Sequence, residues 1–147
     1  MSTRQIHVFI SHAWAYSEDY ITLSTWIFDQ RWRVGQASLD IHNYSVPRDD
    51  PFHDMGTERE LREAIYNQIG RSHVVVIPVG MYASHSKWIQ KEINGANYYE
   101  KPILAVIPRG KKRLSGVVVD NATREVGWTR ESVIKGVWEL YKKSQGQ

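Results

Sequence analysis

The stretch HVVVIPVG, residues 73–80, runs apolar from Val74 to Val79 with no polar alternation, and its leading residues Val74, Val75, Val76 and Ile77 are all β-branched. A run this short and uniform suits a strand covered on both faces, the condition of a central strand in a parallel sheet. Pro78 and Gly80 punctuate its end. A sheet buried on both faces needs helices above and below it, so the flanking sequence has to supply them.

Downstream, a helix is expected over 86–100, with Ile89, Ile93 and Ala96 on one stripe. PILAVIPRG, 102–110, reads as another covered strand, 125–128 as a short edge strand, and 129–143 as a final helix turning Val133, Ile134, Val137, Leu140 and Tyr141 inward. Residues 111–123 show no usable period. Upstream, HVFISH at 7–12 is a buried strand with a polar end, and 38–44 alternates like a second strand. Between them a helix is expected over 17–33, with Ser17 as N-cap and Tyr20, Leu23, Ile27 and Arg31 in one stripe. The prolines and acidic pair of 45–56 make a loop, after which Thr57 and Glu60 form a capping box. Leu61, Ala64, Ile65 and Ile69 give the next helix its apolar face. Trp26, Trp32, Trp128 and Trp138 are assigned to packing.

Strand and helix in alternation with short connections mean a mostly parallel sheet between two helical layers. With no internal repeat, low-complexity tract or linker, one domain is expected over 1–147. The 147 residues are 41% hydrophobic and 24% charged, the mix of a folded soluble chain. The absence of cysteine suits a reducing compartment. The opening residues carry no signal-peptide pattern, and the longest apolar run is far short of the roughly 20 residues of a membrane span. A cytoplasmic protein with no membrane partner is expected. The net charge is +3 and the basic residues cluster only at Arg109, Lys111, Lys112 and Arg113. That is a solvated loop rather than the long aromatic-interleaved stripe of a nucleic-acid binder.

Sheets of this kind bind ligands beyond the carboxyl ends of their strands. Attention therefore falls on 11–14, 43–50 and 80–86, and on the first turns of the helices that follow. At about 100° per residue, Trp88 and Glu92 lie together about 60–100° to one side of the Ile89, Ile93 and Ala96 stripe. This places Glu92 at the rim of the cleft, where a carboxylate beside an aromatic ring can hold sugar hydroxyls or stabilise positive charge on a ribose carbon. An ordinary surface glutamate paired with a lysine satisfies the same pattern. Phe9, Ser11, His12 and Trp14 lie at or past the end of the first strand and are candidate contacts for substrate, although Phe9 reads equally as core. Asn43, Tyr44 and Ser45 open the second candidate loop, with turn chemistry as their other reading. Ser84 and Ser86 are candidates to cap the helix of Glu92 or to frame an anion at its N-terminus.

Several uses of such a fold are excluded by what is missing. A phosphoryl receiver needs acidic residues after its first strand and an aspartate after its third, but those ends read Ser11-His12 and Pro78-Val79-Gly80. Neither GxxxxGK[ST] nor GxGxxG is present. Asp49, Asp50, His53 and Asp54 match no standard metal spacing, so no metal is expected.

The runs VFISHAW, NYSVPRDDPF, VVVIPVGMYASHSKWIQKEINGA, KPILAVIPRG and VGWTRESVIKGV, in that order, resemble the TIR-like family of the bacterial Thoeris anti-phage system. Ser86, Trp88 and Glu92 form its SxWxxxE motif, and NYSVPxDDP is the other specific piece. The resemblance implies a flavodoxin-like (TIR-like) three-layer sandwich with a sheet of about five strands. It also implies an enzyme that cleaves NAD, as substrate and not cofactor, at the nicotinamide–ribose bond, with Glu92 catalytic. The ADP-ribose moiety would become a diffusible nucleotide that activates a separate effector protein, and active sites would form by self-assembly. A non-enzymatic TIR interaction module, in which Glu92 is structural, is the alternative from another class. A nucleoside deoxyribosyltransferase, acting through a glutamate on a related glycosidic bond, is the third.

Overall fold

The computed structural model describes residues 3–12, 18–29, 31–46, 58–79, 86–107 and 116–146. At its centre is β4 (Val74–Pro78), every residue of which is buried, as its uninterrupted apolar run requires. β1 (Thr3–Ile10) lies parallel on one side of it and β5 (Ile103–Ile107) parallel on the other. β3 (Ala37–Asn43) pairs parallel with β1, and β6 (Arg124–Gly127) pairs parallel with β5. β2 (Trp32–Val34) closes the far edge antiparallel to β3, giving the order β2-β3-β1-β4-β5-β6. Without β2 this is the flavodoxin-like order, in which the chain leaves β1 in one direction and returns to its other side.

The period of two in the strands sorts the core into two halves. Ile6, Val8 and Ile10 of β1, with Val74, Val76, Leu104 and Val106, face α1 (Glu18–Phe28) and α5 (Arg130–Ser144). Phe9, Val75, Ile77, Ile103 and Ala105 point the other way, toward α2 (Glu58–Gly70), α3 (Ser86–Tyr98) and the short α4 (Val117–Asn121). Both faces of the sheet are therefore dry, and the result is three layers. The inward stripe expected of α5 is buried throughout, and Thr129 caps that helix by accepting the Ser132 N–H at 3.1 Å. Trp138 is buried, and Trp26, Trp32 and Trp128 pack partly against the same half of the core.

One expectation is corrected. The first helix stops at Phe28 rather than continuing to 33, and Trp32–Val34 turns back as β2. Gly35, at φ +60, makes the tight reversal that pairs Val34 with Ala37, and the Trp32 indole N–H bonds the Trp26 carbonyl at 2.8 Å. Helical spacing placed Arg31 on the stripe, but the W-R-V segment is held as a strand by its pairing with β3. Among the described residues the sheet accordingly has six strands, the sixth being this antiparallel edge. Within 111–123, which offered no period, residues 117–121 form α4. Ser17, Thr57 and the cluster Asp49, Asp50, His53 and Asp54 lie outside the described residues. No helix among the described residues is long and apolar enough to cross a membrane.

Candidate functional site

α3 lies against α2 through Gly95, where an added Cβ would stand 3.2 Å from Ile69 Cδ1 and 3.5 Å from the Tyr66 ring. Ile89, Ile93 and Ala96 fill the core beneath it, as their spacing indicates. Glu92, one turn after Trp88, is completely buried at 0% exposure. This corrects the rim position read from the helical wheel. A wheel fixes the angle of a side chain to its own helix's apolar stripe, but not which other element closes over that side.

Here the closing element is the end of β1. Ser11 Oγ donates to Glu92 Oε1 at 2.5 Å, and the backbone N–H of His12 donates to Oε2 at 2.6 Å. Both side-chain oxygens of Glu92 are therefore matched by donors. These bonds explain how a carboxylate is tolerated in a buried place, since removing such a group from water costs several kcal/mol unless donors replace the lost hydration (about 2–7 even for a neutral polar group). Ser11 is itself 0% exposed, and its N–H is tied to the Val76 carbonyl of β4 at 2.9 Å. The carboxylate therefore sits at the carboxyl end of β1, beside β4, where strand order reverses and ligands bind in folds of this type.

The remaining candidate residues divide by position. His12 is buried beside Glu92, and Phe9 is core, packed in the half that α3 covers. Trp88 is half-buried, with Lys87 Nζ 5.5 Å and Lys91 Nζ 5.7 Å from its ring centroid. That is cation–π range for both ammonium groups. Asn43 and Ser45 act in the turn after β3: Asn43 Oδ1 accepts the Ser45 N–H at 2.9 Å, and Ser45 Oγ accepts the buried Ile10 N–H at 2.8 Å. The Tyr44 ring stacks on His7 at 4.0 Å, and its carbonyl accepts from Gln68 Nε2 at 3.0 Å. Ser86 is the first residue of α3. Trp14 and Ser84 lie outside the described residues.

The structure thus brings Ser11, His12 and Glu92 together and engages Asn43, Tyr44 and Ser45 in local structure. Two features escaped sequence reasoning. One is the His12 backbone donor, which no side chain announces. The other is the row formed by His42, His7 and His73 on β3, on β1 and just before β4, where His7 N–H donates to His73 Nδ1 at 2.9 Å and the His73 N–H returns a bond to the His7 carbonyl at 2.7 Å. The signal was present, since each strand carries its histidine where the apolar run begins or breaks. Surface clefts lined by Trp32, Val34 and Ile134, and by Arg124, Glu139 and Lys143, include no residue of the glutamate site.

A model of the TIR-like domain of the Thoeris protein ThsB matches residues 9–113, from the end of β1 through α3 and β5. The chain belongs to this family. As a TIR-like domain of Thoeris defence, it carries the Ser11, His12 and Glu92 cluster wholly within the matched span. Among solved structures, it is similar to translation elongation factor SelB from Methanococcus maripaludis, determined with the GTP analogue GppNHp. The TM-score is 0.52 at 11% identity, over 100% of this chain and 35% of that one, a likeness of fold alone. The TIR-like domain spans about a third of that protein's length. A 3-dehydroquinate dehydratase-like protein from Bifidobacterium longum aligns at TM-score 0.45 and 11% identity, over 97% of this chain and 98% of that one. No curated protein matches the chain.

Proposed function

We propose that this TIR-like domain cleaves NAD between nicotinamide and ribose and passes the ADP-ribose moiety into a diffusible signalling nucleotide in anti-phage defence. The observation that carries the reading is the Glu92 carboxylate, held by Ser11 and His12 at the reversal point of the sheet in a chain of the Thoeris TIR-like family. In the reaction, nicotinamide leaves as a neutral molecule and its bonding electrons go with it. Positive charge then develops on the ribose carbon and ring oxygen. An oriented carboxylate in a low-dielectric site stabilises that oxocarbenium-like state more than the ground state, which is what lowers the barrier. Water, an adenine nitrogen or another acceptor captures the ribosyl carbon and sets the product. A separate effector protein would respond to it.

The test follows NAD, nicotinamide and ADP-ribose derivatives by chromatography and mass spectrometry in cells carrying the protein, with and without phage, beside Glu92→Gln. Nicotinamide and a new ADP-ribose species are expected with the wild type, and the variant is expected to lose about 10²-fold or more of that rate. Identical nucleotide pools in all samples, under an infection that the system resists, overturn the reading. The interaction-module reading would then replace it. Its supporting observation is the 0% exposure of Glu92, since a fully covered carboxylate with donors on both oxygens also describes a structural tether between β1 and α3.

A further inference from the structure

Ser11 stands where a substrate contact was expected, yet its geometry assigns it a different task. A hydroxyl has one proton to donate. That of Ser11 goes to Glu92 Oε1 at 2.5 Å, in a residue with no exposed surface. Its place is fixed from the protein side, because the Ser11 N–H is held by Val76, a fully buried residue of the central strand. The serine hydroxyl is thus pinned to the middle of the sheet and aims at one carboxylate oxygen, while the next peptide N–H aims at the other.

We propose that Ser11 is a positioning residue: it orients Glu92 and keeps the carboxylate ionised for the glycosidic cleavage described above, without itself contacting NAD. The inference rests on that reading of Glu92. The complete burial of Glu92 favours the neutral acid, and donors to the carboxylate oppose it. The His12 N–H belongs to the backbone, so Ser11 is the donor of the pair that a side-chain substitution can remove. A hydrogen bond to a charged group corresponds to a factor of roughly 10 to 100, or about one to two pH units in the midpoint of the acid it stabilises.

The experiment compares wild type, Ser11→Ala and Ser11→Thr by two readouts. The first is 13C NMR of protein labelled at the glutamate side-chain carboxyl, with the Glu92 signal identified by its absence in Glu92→Gln. The second is the pH profile of nicotinamide release from NAD. Ser11→Ala is expected to raise the Glu92 midpoint by about one unit or more. It should move the acid limb of the rate profile up by the same amount and lower kcat about tenfold or more with KM for NAD little changed. Ser11→Thr, which keeps the hydroxyl, restores both. An unchanged midpoint in folded Ser11→Ala overturns the inference, as does a rise in KM with kcat and the acid limb intact, which would make Ser11 a substrate contact. If the midpoint moves but the wild type releases no nicotinamide in infected cells that resist phage, the cleavage reading has failed and the positioning role in catalysis falls with it.

Discussion

Single side chains at the end of β1 show how few atoms define this site. Ser45 reaches back across the turn after β3 to accept the Ile10 N–H in a fully buried place, one residue before Ser11. Without that acceptor a buried donor is left unmatched, at a cost of about 1–3 kcal/mol. Ser45→Ala is therefore expected to lower unfolding stability by that amount in a denaturant titration, whereas Ser45→Thr should retain most of it. Equal stabilities for wild type and Ser45→Ala would show that another acceptor, such as water, takes over. Asn43, Ser45 and Ser11 look alike in a sequence as small polar residues near strand ends. Only their partners distinguish a turn former, a backbone acceptor and a donor to Glu92.

At the scale of elements, helix α5 owes its closeness to the sheet to Gly136. A methyl group placed there would stand 2.8 Å from Leu104 Cδ1 and 3.1 Å from Val126 Cγ1, inside normal contact distance. Alanine would gain up to about 1 kcal/mol of helix propensity, but overpacking a core of this density costs about 1–3 kcal/mol. The expected net result of Gly136→Ala is a lowered thermal midpoint, and a raised one would show that α5 can slide outward freely. The neighbouring elements also explain which boundaries were legible. α5 was readable because an unbroken apolar stripe follows a threonine cap. α1 was overextended because Trp32 and Val34 serve equally well as helix or strand residues until β3 is present to pair with them.

For the molecule as a whole, β1 and β4 pair in the middle of the sheet, and His73 lies just before the start of β4. His73 Nδ1 accepts the His7 N–H, so the imidazole must be unprotonated there. Burial, with the His7 and Lys101 charges adding to it, lowers the His73 pKa from 6.5 to about 4. Tyr141 of α5 packs edge-on at 5.0 Å. The unfolded chain thus binds a proton below 6.5 that the folded chain refuses until about 4. The stabilising contribution is complete above pH 6.5 and is lost as pH falls through this window. Equilibrium unfolding followed from pH 7.5 to 4 should show a decline in stability, and His73→Asn, which keeps an acceptor but does not titrate, should flatten it. Equal slopes for the two proteins would place the dependence on other groups.

By itself the sequence determined the layers: β-branched runs too short for helices and apolar throughout have to be covered on both sides, and the intervening stripes with a period near 3.6 are what covers them. It also drew attention to Glu92 beside Trp88, with the spacing alone leaving an ordinary surface glutamate as the other reading and the family resemblance pointing to a catalytic one. It left undecided the depth of that glutamate, the partners of its two oxygens, the antiparallel edge β2 and the histidine row. The bonds to Glu92 join groups 80 and 81 positions apart, and contacts of that kind exist only once the sheet has brought β1 and α3 together; β2 pairs with the nearby β3, but becomes strand rather than helix only with that neighbour in place. Periodicity records the environment a residue needs, whereas the identity of its neighbour across the fold is a property of the assembled tertiary structure.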